Sequence, residues 1–147
     1  MKKSNLFIIA LICMMISSVS TFAREKAIPA QNLPATTKTF LKKNFPGNAI
    51  AYAKVDNGFM TTSYTVHLND GAKLRFDKNG NWDKVNCKKH AVPTQLIPTH
   101  IATYVKSHFA GASIVKINKE RLGYKVALSN HLCLKFNYQG QITDIYD

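Results

Sequence analysis

From Tyr64 to Phe76 apolar and polar side chains alternate. Tyr64, Val66 and Leu68 fall on one side of the chain and Thr65 and His67 on the other; Leu74 and Phe76 then alternate with Lys73 and Arg75. A period of two predicts a pair of half-buried strands. The loop between them must keep the two faces in phase. A two-residue Asp70-Gly71 turn would set Leu74 opposite His67 and mix the faces. A three-residue loop, Asn69-Asp70-Gly71, sets Leu68 opposite Ala72, Val66 opposite Leu74 and Tyr64 opposite Phe76, with Gly71 in the left-handed place. The stretch FDKNGNW that follows is a second turn: Asp77 starts it, Lys78-Asn79 form the corner, and Gly80 takes positive φ. Phe76 and Trp82 thereby become core neighbours.

The same spelling returns later in the chain. FNYQGQI repeats FDKNGNW, and Tyr124, Val126, Leu128, Leu134, Phe136, Gly140 and Ile142 answer Tyr64, Val66, Leu68, Leu74, Phe76, Gly80 and Trp82 at an offset of 60. Upstream the offset is 64: Leu33-Pro34 answers Ile97-Pro98, Phe40, Leu41 and Phe45 answer Tyr104, Val105 and Phe109, and Gly47 and Ile50 answer Gly111 and Ile114. A four-residue deletion separates the two offsets. The chain therefore reads as a tandem duplication, residues 33–86 and 97–147, with 24–32 as an N-terminal segment and 87–96 as linker.

Each copy opens with a helix. Pro34 and Pro98 suit a first helical turn. Ile97, Ile101, Tyr104, Val105 and His108 form one stripe at 3.6 residues per turn, and Pro46-Gly47 and Ala110-Gly111 end the helices. Strands are expected near 49–56, 62–69, 72–77 and 81–86, then near 113–118, 122–129, 132–137 and 141–146. The fold class is α+β: two helix-plus-four-strand antiparallel units with the helices on one face. Parity assigns Thr65, His67, Lys73, Arg75, Asp83, Val85, Lys125, Lys135 and Ile145 to the other, uncovered face. It assigns Trp82 to the core.

The first residues change the compartment. Lys2 and Lys3 precede an apolar run from Leu6 to Ile16, and Thr21-Phe22-Ala23 closes the stretch, the layout of a signal peptide cleaved after Ala23. The run is too short to span a bilayer. Cys13 does not fit a lipidation site, because Ile12 before it is bulky and the apolar run continues past it. Removing Lys2 and Lys3 lowers the formal net charge from +12 to +10. Such a surface suits an acidic partner, and export argues against nucleic acid. The remaining cysteines, Cys87 and Cys133, carry the open-face parity. An even count in an exported chain permits a disulfide, which would close a loop of about 46 residues and stabilise by roughly 3–4 kcal/mol. The alternative is two buried thiols that never meet.

Catalysis needs converging groups, and the sequence shows none. The eight acids are scattered, neither cysteine lies in a CxxC pair, and no glycine-rich phosphate loop occurs. DKNGNWD lacks the acidic ligands and closing glutamate of a calcium loop. His100 and His108 lie two helical turns apart, without cysteine or carboxylate neighbours of the kind zinc uses. No enzyme activity, cofactor or metal is expected.

The paired motifs LPATTKTFLKKNFPG with IPTHIATYVKSHFAG, and YTVHLNDGAKLRFDKNGNW with YKVALSNHLCLKFNYQGQI, resemble the exported β-lactamase-inhibitor-like, PepSY-like proteins of Bacteroidetes. The resemblance covers about residues 33–146. It implies a curved antiparallel sheet with helices on one side and an open concave face, which in the namesake inhibitor grips its enzyme. Two positions depart from the pattern: His131 stands at the loop glycine and Ile142 at the tryptophan. The resulting expectation is a monomeric periplasmic or secreted binding protein. It would use His67, Lys73, Arg75, Lys125 and Lys135, with the Asp70-Gly71 and Asn79-Gly80 hairpin tips, against an acidic protein. Narrower alternatives are an inhibitor of a periplasmic or secreted enzyme and a PepSY-type regulatory or sensor domain.

Overall fold

The computed structural model describes residues 25–147. The leader, with Cys13 and the cleavage point after Ala23, lies outside the described residues. Nine antiparallel strands form one sheet in simple sequence order. They are β1 (Glu25–Ile28), β2 (Ile50–Asn57), β3 (Thr62–Leu68), β4 (Lys73–Asp77), β5 (Trp82–Asn86), β6 (Ile114–Glu120), β7 (Gly123–Leu128), β8 (Cys133–Asn137) and β9 (Ile142–Tyr146). Two ten-residue helices, α1 (Ala35–Asn44) and α2 (Thr99–His108), connect β1 to β2 and β5 to β6. Pro34 and Pro98 sit at the N-cap of each helix, one place earlier than the sequence suggests. Lys42 and Lys43, and Lys106 and His108, occupy the last turns, where cations face the negative end of the helix dipole.

The helices bury Leu41 and Thr37, and Ile101 and Val105, against one side of the sheet. On that side a continuous row of apolar residues runs in register from the partly buried Ile28 on β1 through the buried Val66, Val85 and Ile117 to Ile145, half exposed on the edge strand β9. Above the next row, Phe40 meets Phe76 edge to face at 5.4 Å, and Tyr104 meets Phe136 in the same way at 5.4 Å. Aromatic pairs at this spacing add about 1 kcal/mol to the burial of the rings.

The loops follow the phase argument. Tyr64 pairs with Phe76 and Val66 with Leu74, and the Leu68 N–H donates to Ala72 O at 2.9 Å. Gly71 has φ +89, and His131 holds the corresponding left-handed position at φ +74. Gly80 and Gly140 take φ +84 and +87. Asp77 Oδ1 accepts the N–H groups of Asn79 and Asn81 at 2.8 and 2.9 Å, the work of a turn rather than a calcium site. Burial works against its charged form, yet these bonds outweigh that and hold the Asp77 carboxyl below its ordinary range.

Two expectations require correction. Residues 24–32 contain an edge strand, β1, whose four residues are too short to show a period. Val85 and Ile145, placed on the open face by parity, lie in the helix-side row opposite Leu74 and Leu134, Val85 fully buried and Ile145 half exposed at the sheet edge. The reason is a β-bulge in each place: Arg75 pairs with Lys84 but Phe76 with Trp82, leaving Asp83 unpaired, and Thr143 is left over in the same way opposite β8. One extra residue inverts the phase downstream of it.

The same inversion separates the cysteines. Cys87 is buried in the core on the helix side, whereas Cys133 lies on the open side between Ala127 and Tyr146. Three strand spacings, about 14 Å, separate β5 from β8, beyond the roughly 7 Å that a disulfide can span. Both thiols are free. Burial, then the charge of Asp70, pushes the Cys87 thiol up to about 11. Reduction should leave the intact mass of the native protein unchanged, and a disulfide-exchange reagent should label Cys133 well before Cys87. A gain of two hydrogens on reduction would show a bridge instead.

Candidate functional site

The uncovered side of the sheet carries the charge. In register across its middle lie Lys54, Thr65, Arg75, Lys84, Asn118, Lys125, Lys135 and Asp144. The adjacent row holds Tyr52, His67, Lys73, Asn86, Lys116, Ala127, Cys133 and Tyr146. All five sequence-derived candidates, His67, Lys73, Arg75, Lys125 and Lys135, stand on this face. A single polar depression of about 310 Å³ is lined from six successive strands, reaching from Glu25 on β1 to Lys116 on β6.

Three ion pairs cross the face: Lys54 with Glu25 at 3.2 Å, Arg75 with Asp83 at 2.8 Å and Lys135 with Asp144 at 3.5 Å. Lys73, Lys84, Lys116 and Lys125 have no such partner among the described residues. Burial, then the charges of Arg75 and Lys116, pulls Lys84 below the usual lysine range. Burial, then Lys73 and Lys54, likewise lowers His67, whose ring stacks on Tyr52 at 4.2 Å. The hydrogen bond to Asp83 raises Arg75, and Tyr146 raises Lys125. Asn118 Oδ1 and Asp56 Oδ1 are buried on this face without a hydrogen-bond donor among the described residues.

Sequence reading missed Lys54, Lys84 and Lys116. Lys84 follows a bulge, which reverses its parity, and β2 and β6 each carry an irregularity, between Ile50 and Tyr52 and between Ile114 and Lys116. The usable sign was the local alternation of Ala53 and Val55 with Lys54 and Asp56. The two hairpin tips named from sequence do not converge. Asp70-Gly71 joins β3 to β4 at one end of the sheet, and Asn79-Gly80 joins β4 to β5 at the other. Gly80 is buried, so close beneath α1 that a Cβ there would lie 2.9 Å from Pro34 Cβ. Trp82 packs at the edge of the core beside Phe40, with Lys119 Nζ 3.9 Å from its ring. His108 stacks on Tyr104 and meets Tyr104 O at 3.0 Å, while His100 lies over the Gly140 turn. Among the described residues no three His, Cys, Asp or Glu side chains gather where they could hold a metal ion.

A family profile described as "Putative beta-lactamase-inhibitor-like, PepSY-like" matches residues 62–144. This chain belongs to that PepSY-like, β-lactamase-inhibitor-like family. A crystal structure from Bacteroides vulgatus, a "putative periplasmic protein" of the DUF2874 family, is 39% identical with a TM-score of 0.81, covering 86% of this chain and 99% of that one. A "putative calcium-regulated periplasmic protein" from Bacteroides thetaiotaomicron is 36% identical with a TM-score of 0.80, covering 84% of this chain and 97% of its own. A further Bacteroides vulgatus structure, a "putative periplasmic protein of unknown function", is 34% identical with a TM-score of 0.80, over 84% of this chain and 99% of its own. No curated protein matches the chain. Among the described residues no helix is long and apolar enough to cross a membrane.

Proposed function

We propose that this protein is an exported, non-enzymatic binding protein of the periplasm whose open sheet face engages an acidic protein. We further read residues 33–86 and 97–147 as two copies of one unit, which together present that face. The observation that carries the reading is the imbalance across it: four lysines without carboxylate partners among the described residues, set among two lysines and an arginine that are paired. Like charges aligned on neighbouring strands repel, and an acidic surface would offset that repulsion and steer association. The family's description favours one narrower form, inhibition of a periplasmic or secreted enzyme.

Changing Lys84, Lys116 and Lys125 together to glutamate should weaken capture of a stoichiometric partner from a periplasmic fraction at least about tenfold, which is 1.4 kcal/mol. The thermal midpoint should stay within a few degrees, since the three side chains make no ion pair among the described residues. Undiminished capture by the folded variant would place the site elsewhere.

A further inference from the structure

On the helix side, the offset of 64 brings two grooves into correspondence that differ in what covers them. One runs along α1, floored by Leu41, Phe45 and Ile50, with a volume of about 820 Å³. The other runs along α2 over Val105, Phe109 and Ile114, with a volume of about 460 Å³. The smaller one is walled by the chain's own linker, through Ala91, Val92 and Thr94. There the linker behaves as a short added strand. The Cys87 N–H donates to Val115 O at 2.9 Å, the Val92 N–H donates to Ile114 O at 2.8 Å, and the Val92 side chain is 2% exposed.

Among the described residues no comparable segment lines the first groove. Ile28 opposite Ala53 holds the register place of Val85 opposite Ile117, but only five positions separate Ile28 from Leu33, against twelve from Val85 to Ile97. The shorter connection turns straight into the helix. Strand β1 stops at Ile28, and no main-chain donor among the described residues outside the sheet reaches the carbonyls of Ile50 and Ala51. An apolar trough beside an open strand edge is the geometry that accepts an added strand. Lys38 and Lys42 also line it, and Ala102 stands where Lys38 would recur in the second groove.

We infer that the α1 groove is a docking site for an extended segment of a partner protein, a small-apolar–β-branched–proline sequence like Ala91-Val92-Pro93 with an acidic flank. Its N–H groups pair with the carbonyls of Ile50 and Ala51, its branched side chain fills the trough, and its acids meet Lys38 and Lys42. This inference is independent of the basic sheet face, which lies on the opposite side of the sheet.

The probe is a nine-residue capped peptide with the sequence of residues 88–96 carrying Lys88→Glu and Lys89→Glu, titrated into ¹⁵N-labelled protein. Saturable shifts confined to Leu41–Ala51 are expected. Placing Val92→Asp in the peptide, or Thr39→Trp in the protein, should weaken binding at least tenfold. The double change Lys38→Glu/Lys42→Glu should reverse the preference towards the peptide that keeps both lysines, which separates loss of a site from loss of the fold. No saturation at millimolar peptide, shifts centred on Ile114 and Val115 through exchange with the linker, or a groove already protected in a self-associated dimer would each overturn the inference.

Discussion

Replacing Gly123 by alanine should destabilise the protein more than any other glycine substitution. Gly123 opens β7 with φ +155, and a Cβ there would lie 1.8 Å from Phe136 O and 2.8 Å from Asn137 Cα. Those atoms are backbone of the adjacent strand, so no side chain can swing aside to relieve the overlap. Relief means parting β7 from β8, and that ladder also delivers Leu134 and Phe136 to the core. The origin of the constraint is legible in the chain. Glu120 pairs directly with Gly123, so Arg121 and Leu122 must make the whole turn. Six residues separate Asp56 from Ser63, its partner in the β2–β3 pair, and that longer connection allows serine sixty positions before Gly123. A loss of more than about 4 kcal/mol is expected, large against the 5–15 kcal/mol that holds a typical domain together. Gly71→Ala is the control: it meets nothing within 4 Å, and its positive φ alone should cost about 1–2 kcal/mol. Urea unfolding followed by circular dichroism separates the two, and a folded G123A variant no less stable than G71A would refute the argument.

The contrast between these glycines shows where sequence reasoning reaches and where it stops. Turn chemistry is local, so spacing alone gives Gly71, Gly80 and Gly140 their left-handed places, and His131 with them. Strand phase is local only until a bulge intervenes. No glycine at Asp83 or Thr143 marks the irregularity, so parity puts Val85 and Ile145 on the wrong face and misses Lys84 on the right one. The corrective sign was present: Val85 is apolar and Lys84 polar, an alternation displaced by one from that of Phe76 and Leu74. The candidate face was half legible for the same reason. Lys73, Arg75, Lys125 and Lys135 lie on β4, β7 and β8, which carry no extra residue, whereas Lys54, Lys84 and Lys116 follow an irregularity in their own strands. Which lysines lack a carboxylate depends on partners across the sheet, and so only the folded chain shows it.

Phe76→Ala should be the most damaging truncation in the core, costing about 4 kcal/mol. The ring is fully buried, meets Phe40 edge to face, and lies between Tyr64 and Trp82 in the paired strands. The volume it leaves cannot collapse readily, because its neighbours are held by two ladders and a helix. Phe136→Ala should cost nearly as much, given the equivalent contact with Tyr104 at 5.4 Å and 81°. The shape of the transition is the sharper test. The two halves share one sheet through Lys84–Asn118, Val85–Ile117 and Asn86–Lys116, and both Val85 and Ile117 are fully buried. Losing the packing on one side of that seam should therefore remove the support of the other. Each variant should unfold in one cooperative step, with coincident near- and far-ultraviolet signals. Two resolved transitions in Phe76→Ala, with the half containing Phe136 melting at its native midpoint, would mean that the β5–β6 seam joins the halves without coupling them.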